Sequence, residues 1–136
     1  MGVSSKNNEH RRMFQDISGS SVLAAADDLS TTARVLAAGK AGYTIYVQEI
    51  TVNVITDNAA TQTFQDDATT PVVIAKTKAS PGIGPIVFDF GEEGRALTVD
   101  KDFEMKNSAA GLAADVSWRG YKRLTGVITA ANLATA

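Results

Sequence analysis

Between residues 112 and 124 the chain reads LAADVSWRGYKRL, with apolar side chains on every second position. Leu112, Ala114, Val116 and Trp118 share one parity, and Leu124 returns to it beyond Gly120 and Lys122. Asp115, Ser117, Arg119 and Arg123 stand on the other. A helix would need a period near 3.6; a period of two belongs to an extended strand with one dry and one wet face. Trp118, the only tryptophan, falls on the dry side and is the expected anchor of a core. The rest of the chain must then supply strands that cover that face.

Those strands can be read off in order. Residues 43–55, YTIYVQEITVNVI, are dense in β-branched and aromatic side chains. Tyr43, Ile45 and Val47 lie on one parity and Ile50, Val52 and Val54 on the other, so a β-bulge is expected near Gln48 and Glu49. Residues 61–65, 71–77, 86–90, 96–99 and 103–106 read as shorter extended segments, separated by Asp-, Gly- and Pro-rich turns. Phe88 and Phe90 alternate with Val87 and Asp89 and are expected in the core beside Trp118. Residues 20–42 are ambiguous, because Val22, Ala26, Leu29, Ala33 and Leu36 follow a helical spacing. Thr31, Thr32 and the turn-forming Asp27-Asp28-Leu29-Ser30 favour two strands instead, over 21–26 and 33–37. About eight strands at spacings of ~8–15 residues predict an all-β fold, an antiparallel β-sandwich. Long connections favour the jelly-roll type over an immunoglobulin-type sandwich.

At 136 residues the chain suits one domain. Its expected organisation is a polar N-terminal arm over 1–19, a jelly-roll domain over 20–124, and a tail or edge strand over 125–136. The first residues lack the apolar core of a secretory peptide, and no apolar run reaches the ~20 residues that span a bilayer. Thirteen basic against fifteen acidic residues give a net charge of −2, which provides no general drive toward nucleic acid or anionic membranes. Arg119, Lys122 and Arg123 form a local basic run without an interleaved aromatic groove.

Catalytic chemistry has little to work with. Cysteine is absent and His10 is the only histidine, so neither a thiolate nucleophile nor a histidine-based metal or triad site is expected. The carboxylate pairs Asp27-Asp28, Asp66-Asp67 and Glu92-Glu93 sit in turns and read as solvated residues rather than acid–base partners. Asp57, Asn58, Asp66 and Asp67 lack the loop pattern of a calcium site. No metal, cofactor or enzymatic activity is expected. Tyr43, Tyr46 and Tyr121 are candidates for a sugar-stacking platform, though aromatic residues on strands more often belong to cores or interfaces.

Two stretches carry a resemblance. In residues 36–47, LAAGKAGYTIYV, a small-residue turn feeds a strand with alternating aliphatic positions. Residues 88–98, FDFGEEGRALT, are followed by FEMKNSAAG and by the strand that reaches Arg119-Gly120-Tyr121. Over roughly residues 33–124 the chain resembles the jelly-roll modules of tailed-phage virions, found in capsid decoration (cement) proteins and head-fibre proteins. It departs from them in the penultimate turn, where Asp100-Lys101-Asp102 replaces a glycine-containing motif. The resemblance implies a homotrimer on the outer capsid surface of a virion, with the major capsid protein as partner and neither nucleic acid nor membrane involved. It also implies an arm that bridges shell subunits, for which Arg11, Arg12, Met13 and Phe14 are the contact candidates. The competing expectation is a carbohydrate-binding jelly roll that attaches to a glycan.

Overall fold

The computed structural model describes residues 14–56, 60–78 and 84–125. They contain nine strands: β1 (Phe14–Leu23), β2 (Arg34–Ala37), β3 (Tyr43–Thr56), β4 (Gln62–Asp66), β5 (Val73–Thr77), β6 (Ile86–Asp89), β7 (Arg95–Ala96), β8 (Phe103–Asn107) and β9 (Ala113–Leu124). One sheet has the order β1-β9-β3-β6, with β7 paired to β3 beside β6; the other has the order β2-β8-β4-β5. Every pairing is antiparallel. The pairs β1·β9, β2·β8, β3·β6 and β4·β5 are nested, so the chain is one long hairpin whose tip lies between β4 and β5. Rolling that hairpin lays β9 against β3 and β8 against β4, which closes a five-stranded and a four-stranded layer over each other. That is a jelly roll.

The alternation in β9 decides which side faces in. Ala114, Val116 and Trp118 are buried, while Asp115, Ser117 and Arg119 are exposed. On β3, Tyr43, Ile45, Val47, Ile50, Val52 and Val54 are all buried although their parity changes midway. The register against β9 slips between Val47 and Glu49, so Gln48 is the extra residue of the expected bulge. Across the core stand Phe64, Phe103 and Met105 of the second sheet, each fully buried. The Trp118 indole meets Phe103 edge-on, with ring centroids 5.6 Å apart and planes at 84°, and so joins the two layers. Phe88 and Phe90 are only half-buried and pack on the rim of this cluster.

The first strand corrects the expected arm boundary. Residues 14–19 belong to β1, which pairs with β9 from Phe14↔Arg123 to Leu23↔Ala114. Its apolar signal is weak because its inward positions are Ile17, Gly19, Ser21 and Leu23. Gly19 is opposite Trp118, and a Cβ there would lie 2.8 Å from the indole Cζ2. The strand is thin at this point because the ring lies over it. The expected strand over 21–26 stops at Leu23, where the Asp27 carboxylate accepts the Ala24 amide at 2.9 Å and closes a turn. The segment 33–37 is a strand, not a helix, and β2 covers Arg34–Ala37.

The turn before β8 shows how Asp100 stands where a glycine was expected. Asp100 adopts φ 71, the left-handed region that a glycine would occupy, and Asp is among the few other residues that tolerate it. Its carboxylate accepts the Gly42 amide at 2.6 Å, so the side chain ties this turn to the one before β3.

Candidate functional site

Of the four arm candidates, Arg11, Arg12 and Met13 lie outside the described residues. Phe14 is the first residue of β1, on the outer face of the first sheet and 36% exposed. Three facts of register build a site around it. Phe14 is opposite Arg123, Asp16 is opposite Tyr121, and Tyr121 is in turn opposite Tyr46 on β3. The Tyr46 and Tyr121 rings stack at 4.9 Å with planes 7° apart. Phe14 tilts against Tyr121 at 6.4 Å, and the Arg123 guanidinium lies 5.7 Å over the Phe14 ring.

The turn after β6 closes one side. The Tyr121 hydroxyl donates to the Glu93 carbonyl at 2.7 Å, and burial beside Tyr46 raises the Tyr121 pKa. Phe14, Asp16, Glu92, Glu93 and Tyr121 surround an open hollow of about 380 Å³. An aromatic cluster at the point where the chain enters the sandwich suits adhesion, since rings bury much area at small entropic cost.

The three tyrosines do not form one platform. Tyr43 is 2% exposed and belongs to the core, whereas Tyr46 and Tyr121 turn ring faces toward each other. That arrangement leaves fewer free faces for a sugar. The basic run is likewise dispersed. Arg119 contacts the Gln48 side chain at 3.2 Å and Glu49 at 3.7 Å on the outer face, while Arg123 covers Phe14. Lys122 points toward the interior opposite Ile45, and burial together with the nearby Lys40 lowers its pKa.

One turn carboxylate corrects the sequence reading. Asp66 ends β4 fully buried rather than solvated. Burial alone would raise its pKa. It is outweighed by hydrogen bonds from Thr98, whose amide lies at 2.8 Å, and from the Val72 and Ala68 amides at 3.0 and 3.1 Å, so the net shift is downward. These donors fix the hairpin tip to the strand end after β7. The role is structural, because donors from the chain itself occupy the carboxylate. Asp67 does similar work from the surface by accepting the Asp102 amide at 2.8 Å.

Because the folded pKa of Asp66 is depressed, its contribution is complete above the unfolded carboxylate pKa and fades as pH falls through the folded value. Asp66→Asn is therefore expected to cost ~1–3 kcal/mol at neutral pH, since an amide cannot accept from all these donors. The cost should start to shrink as pH falls below about 4, the range of the unfolded carboxyl, and go on shrinking through the lower folded value. Urea midpoints of both proteins between neutral and acid pH check this; a pH-independent difference contradicts it.

Among the described residues, no group of three or more His, Asp or Glu side chains is placed to hold a metal ion. Glu92 and Glu93 stay on the exposed turn, and Asp27 and Asp28 are held by Arg34 and Ser30 respectively. No protein-family model matches this chain, and no curated protein matches it.

Proposed function

We propose that this protein is a structural virion component that decorates and stabilises a bacteriophage capsid by binding across major capsid protein subunits. The observation that carries this reading is the placement of the Phe14–Tyr121–Tyr46 cluster. It lies on the outer face of the first sheet, at the strand through which the polar segment 1–13 joins the jelly roll. Apolar rings beside a segment that carries Lys6, Arg11 and Arg12 provide a two-part contact. The rings bury area, and the cations reach carboxylates on a neighbouring subunit.

The mechanism is mechanical. A ligand that binds only the assembled shell stabilises it by mass action, and contacts to two subunits at once raise the effective affinity well above that of either contact. A homotrimer on the outer capsid surface multiplies those contacts and pairs or covers sheet edges.

Pelleting with empty shells tests the reading. Truncation must stop at residue 13, because removing residues 14–19 would delete six of the ten residues of β1 and their pairing with β9. The full chain is expected to sediment with shells, and the chain lacking residues 1–13 to lose at least ~10-fold in affinity, about 1.4 kcal/mol. Full-strength binding by the truncated protein overturns the arm assignment, and failure of the full chain to bind overturns the capsid role. The glycan-binding alternative predicts the opposite sensitivity: Tyr46→Ala abolishes binding to a sugar while shell binding persists.

A further inference from the structure

The second sheet carries a different surface. On its outer face Thr63 of β4 is opposite Lys76 of β5 on one side and Lys106 of β8 on the other. Two strand spacings separate the lysine backbones by ~10 Å. Lys78 follows Lys76 on the same side of the chain, and Thr61 and Ser108 join Thr63 in lining a hollow of about 270 Å³. Lys76, Lys78 and Lys106 are all exposed, and none lies within ion-pair distance of a carboxylate among the described residues. Glu104, the nearest acid on β8, is hydrogen-bonded to Gln65 at 3.0 Å.

In a chain whose net charge is −2, three ammonium groups without an ion-pair partner among the described residues stand around a row of hydroxyls, and the one carboxylate of β8 on that face, Glu104, is engaged by Gln65. β5 also ends its sheet, so its outward row of amides and carbonyls has no neighbouring strand among the described residues. Val72 and Val73 are exposed beside it.

We propose that this corner binds an extended acidic segment of a partner protein, which pairs with the free edge of β5 and places its carboxylates on Lys76 and Lys78, while Lys106 across β4 adds to the attracting field. Backbone pairing at a sheet edge gives affinity, and alternate side chains give specificity. Ammonium groups supply the charge, and the Thr63 and Ser108 hydroxyls add donors. A polypeptide fits better than a nucleic acid or a glycan. No described aromatic ring lies on this face for a base or sugar to stack on, and only a peptide uses the β5 backbone. This contact is independent of the capsid role proposed above, since the second sheet alone carries it.

The test titrates the full chain with poly-L-glutamate at low salt and follows backbone amide shifts by NMR. Shifts are expected to concentrate on Lys76, Thr63 and Lys106 and along β5, and to weaken as salt is raised. Lys76→Glu with Lys106→Glu should reduce affinity at least ~10-fold. The same charge change at Lys40, before β3, and at Lys101, at the other end of β8 from Lys106, should leave it within about twofold. Shifts spread over all lysines, equal losses in both double variants, or polygalacturonate binding as tightly as poly-L-glutamate each overturn the proposal. Shells that fail to bind the wild-type chain, while poly-L-glutamate still maps to β5, sink the capsid role and leave this site standing.

Discussion

Trp118→Ala is expected to destabilise the domain by ~3–5 kcal/mol, the range for removing a large aromatic side chain from a packed core. The ring is 8% exposed, lies over Gly19 of β1 and meets Phe103 of the opposite sheet edge-on. Its loss therefore opens a void that touches three strands in two layers. Neither sheet can collapse into that void without breaking register along β9, which pairs on both sides. With whole-domain stabilities of ~5–15 kcal/mol, a cost of this size removes a large part of the margin. Trp118→Phe keeps the edge contact and should cost about half as much or less. Because the chain has one tryptophan, unfolding has to be followed by far-ultraviolet circular dichroism or calorimetry rather than by fluorescence. A Trp118→Ala midpoint indistinguishable from wild type would mean that the indole does not join the layers.

Gly120→Ala is the second large effect, and it acts through the backbone. Gly120 is opposite Ile17 on β1 and Val47 on β3, beside the bulge at Gln48. A Cβ at this position would run into the Tyr46 carbonyl oxygen and lie 3.2 Å from the Val47 Cα. No rotamer relieves a clash with backbone, so β9 and β3 would have to separate at the centre of the sheet. The expected cost is ~3 kcal/mol, at or above the upper end of overpacking in cores. The stacked Tyr46 and Tyr121 rings flank this point, so their contact should loosen as well. Denaturant midpoints and the aromatic proton shifts of the two tyrosines report the two effects separately. An unchanged midpoint would contradict the close approach.

Why some of this was legible and some not has a physical basis in particular residues. The alternation over 112–124 placed every buried side chain of β9 correctly, because an interior strand with one wet face shows its pattern along most of its length. The bulge at Gln48 was visible as a change of parity within 43–55, since both halves of β3 are buried. Gly120 also left a trace, as the position where the alternation of β9 lapses. The first part of β1 was hidden because a strand that accommodates an indole must be small there, and residues 14–19, ending in Gly19, read as part of the polar arm. Phe64 and Phe103, fully buried at the centre of the core, carried no stronger local signal than Phe88 and Phe90 on its rim. Burial of Asp66 depends on amides from Val72 and Thr98, which only the tertiary fold brings together. The outer-face cluster needed register as well. Phe14, Tyr46 and Tyr121 are far apart in the chain and meet only because β9 lies between β1 and β3.

The claim on which the functional reading turns is that this rolled sandwich works as an adhesive laid across shell subunits. An image reconstruction of capsids incubated with the full chain tests it most directly. Added density the size of the sandwich is expected on the outside of the shell, with the Phe14 end of β1 directed at the capsid and contacts to at least two subunits. Capsids that come through the same treatment with a bare outer surface, or with density touching a single subunit, would contradict it.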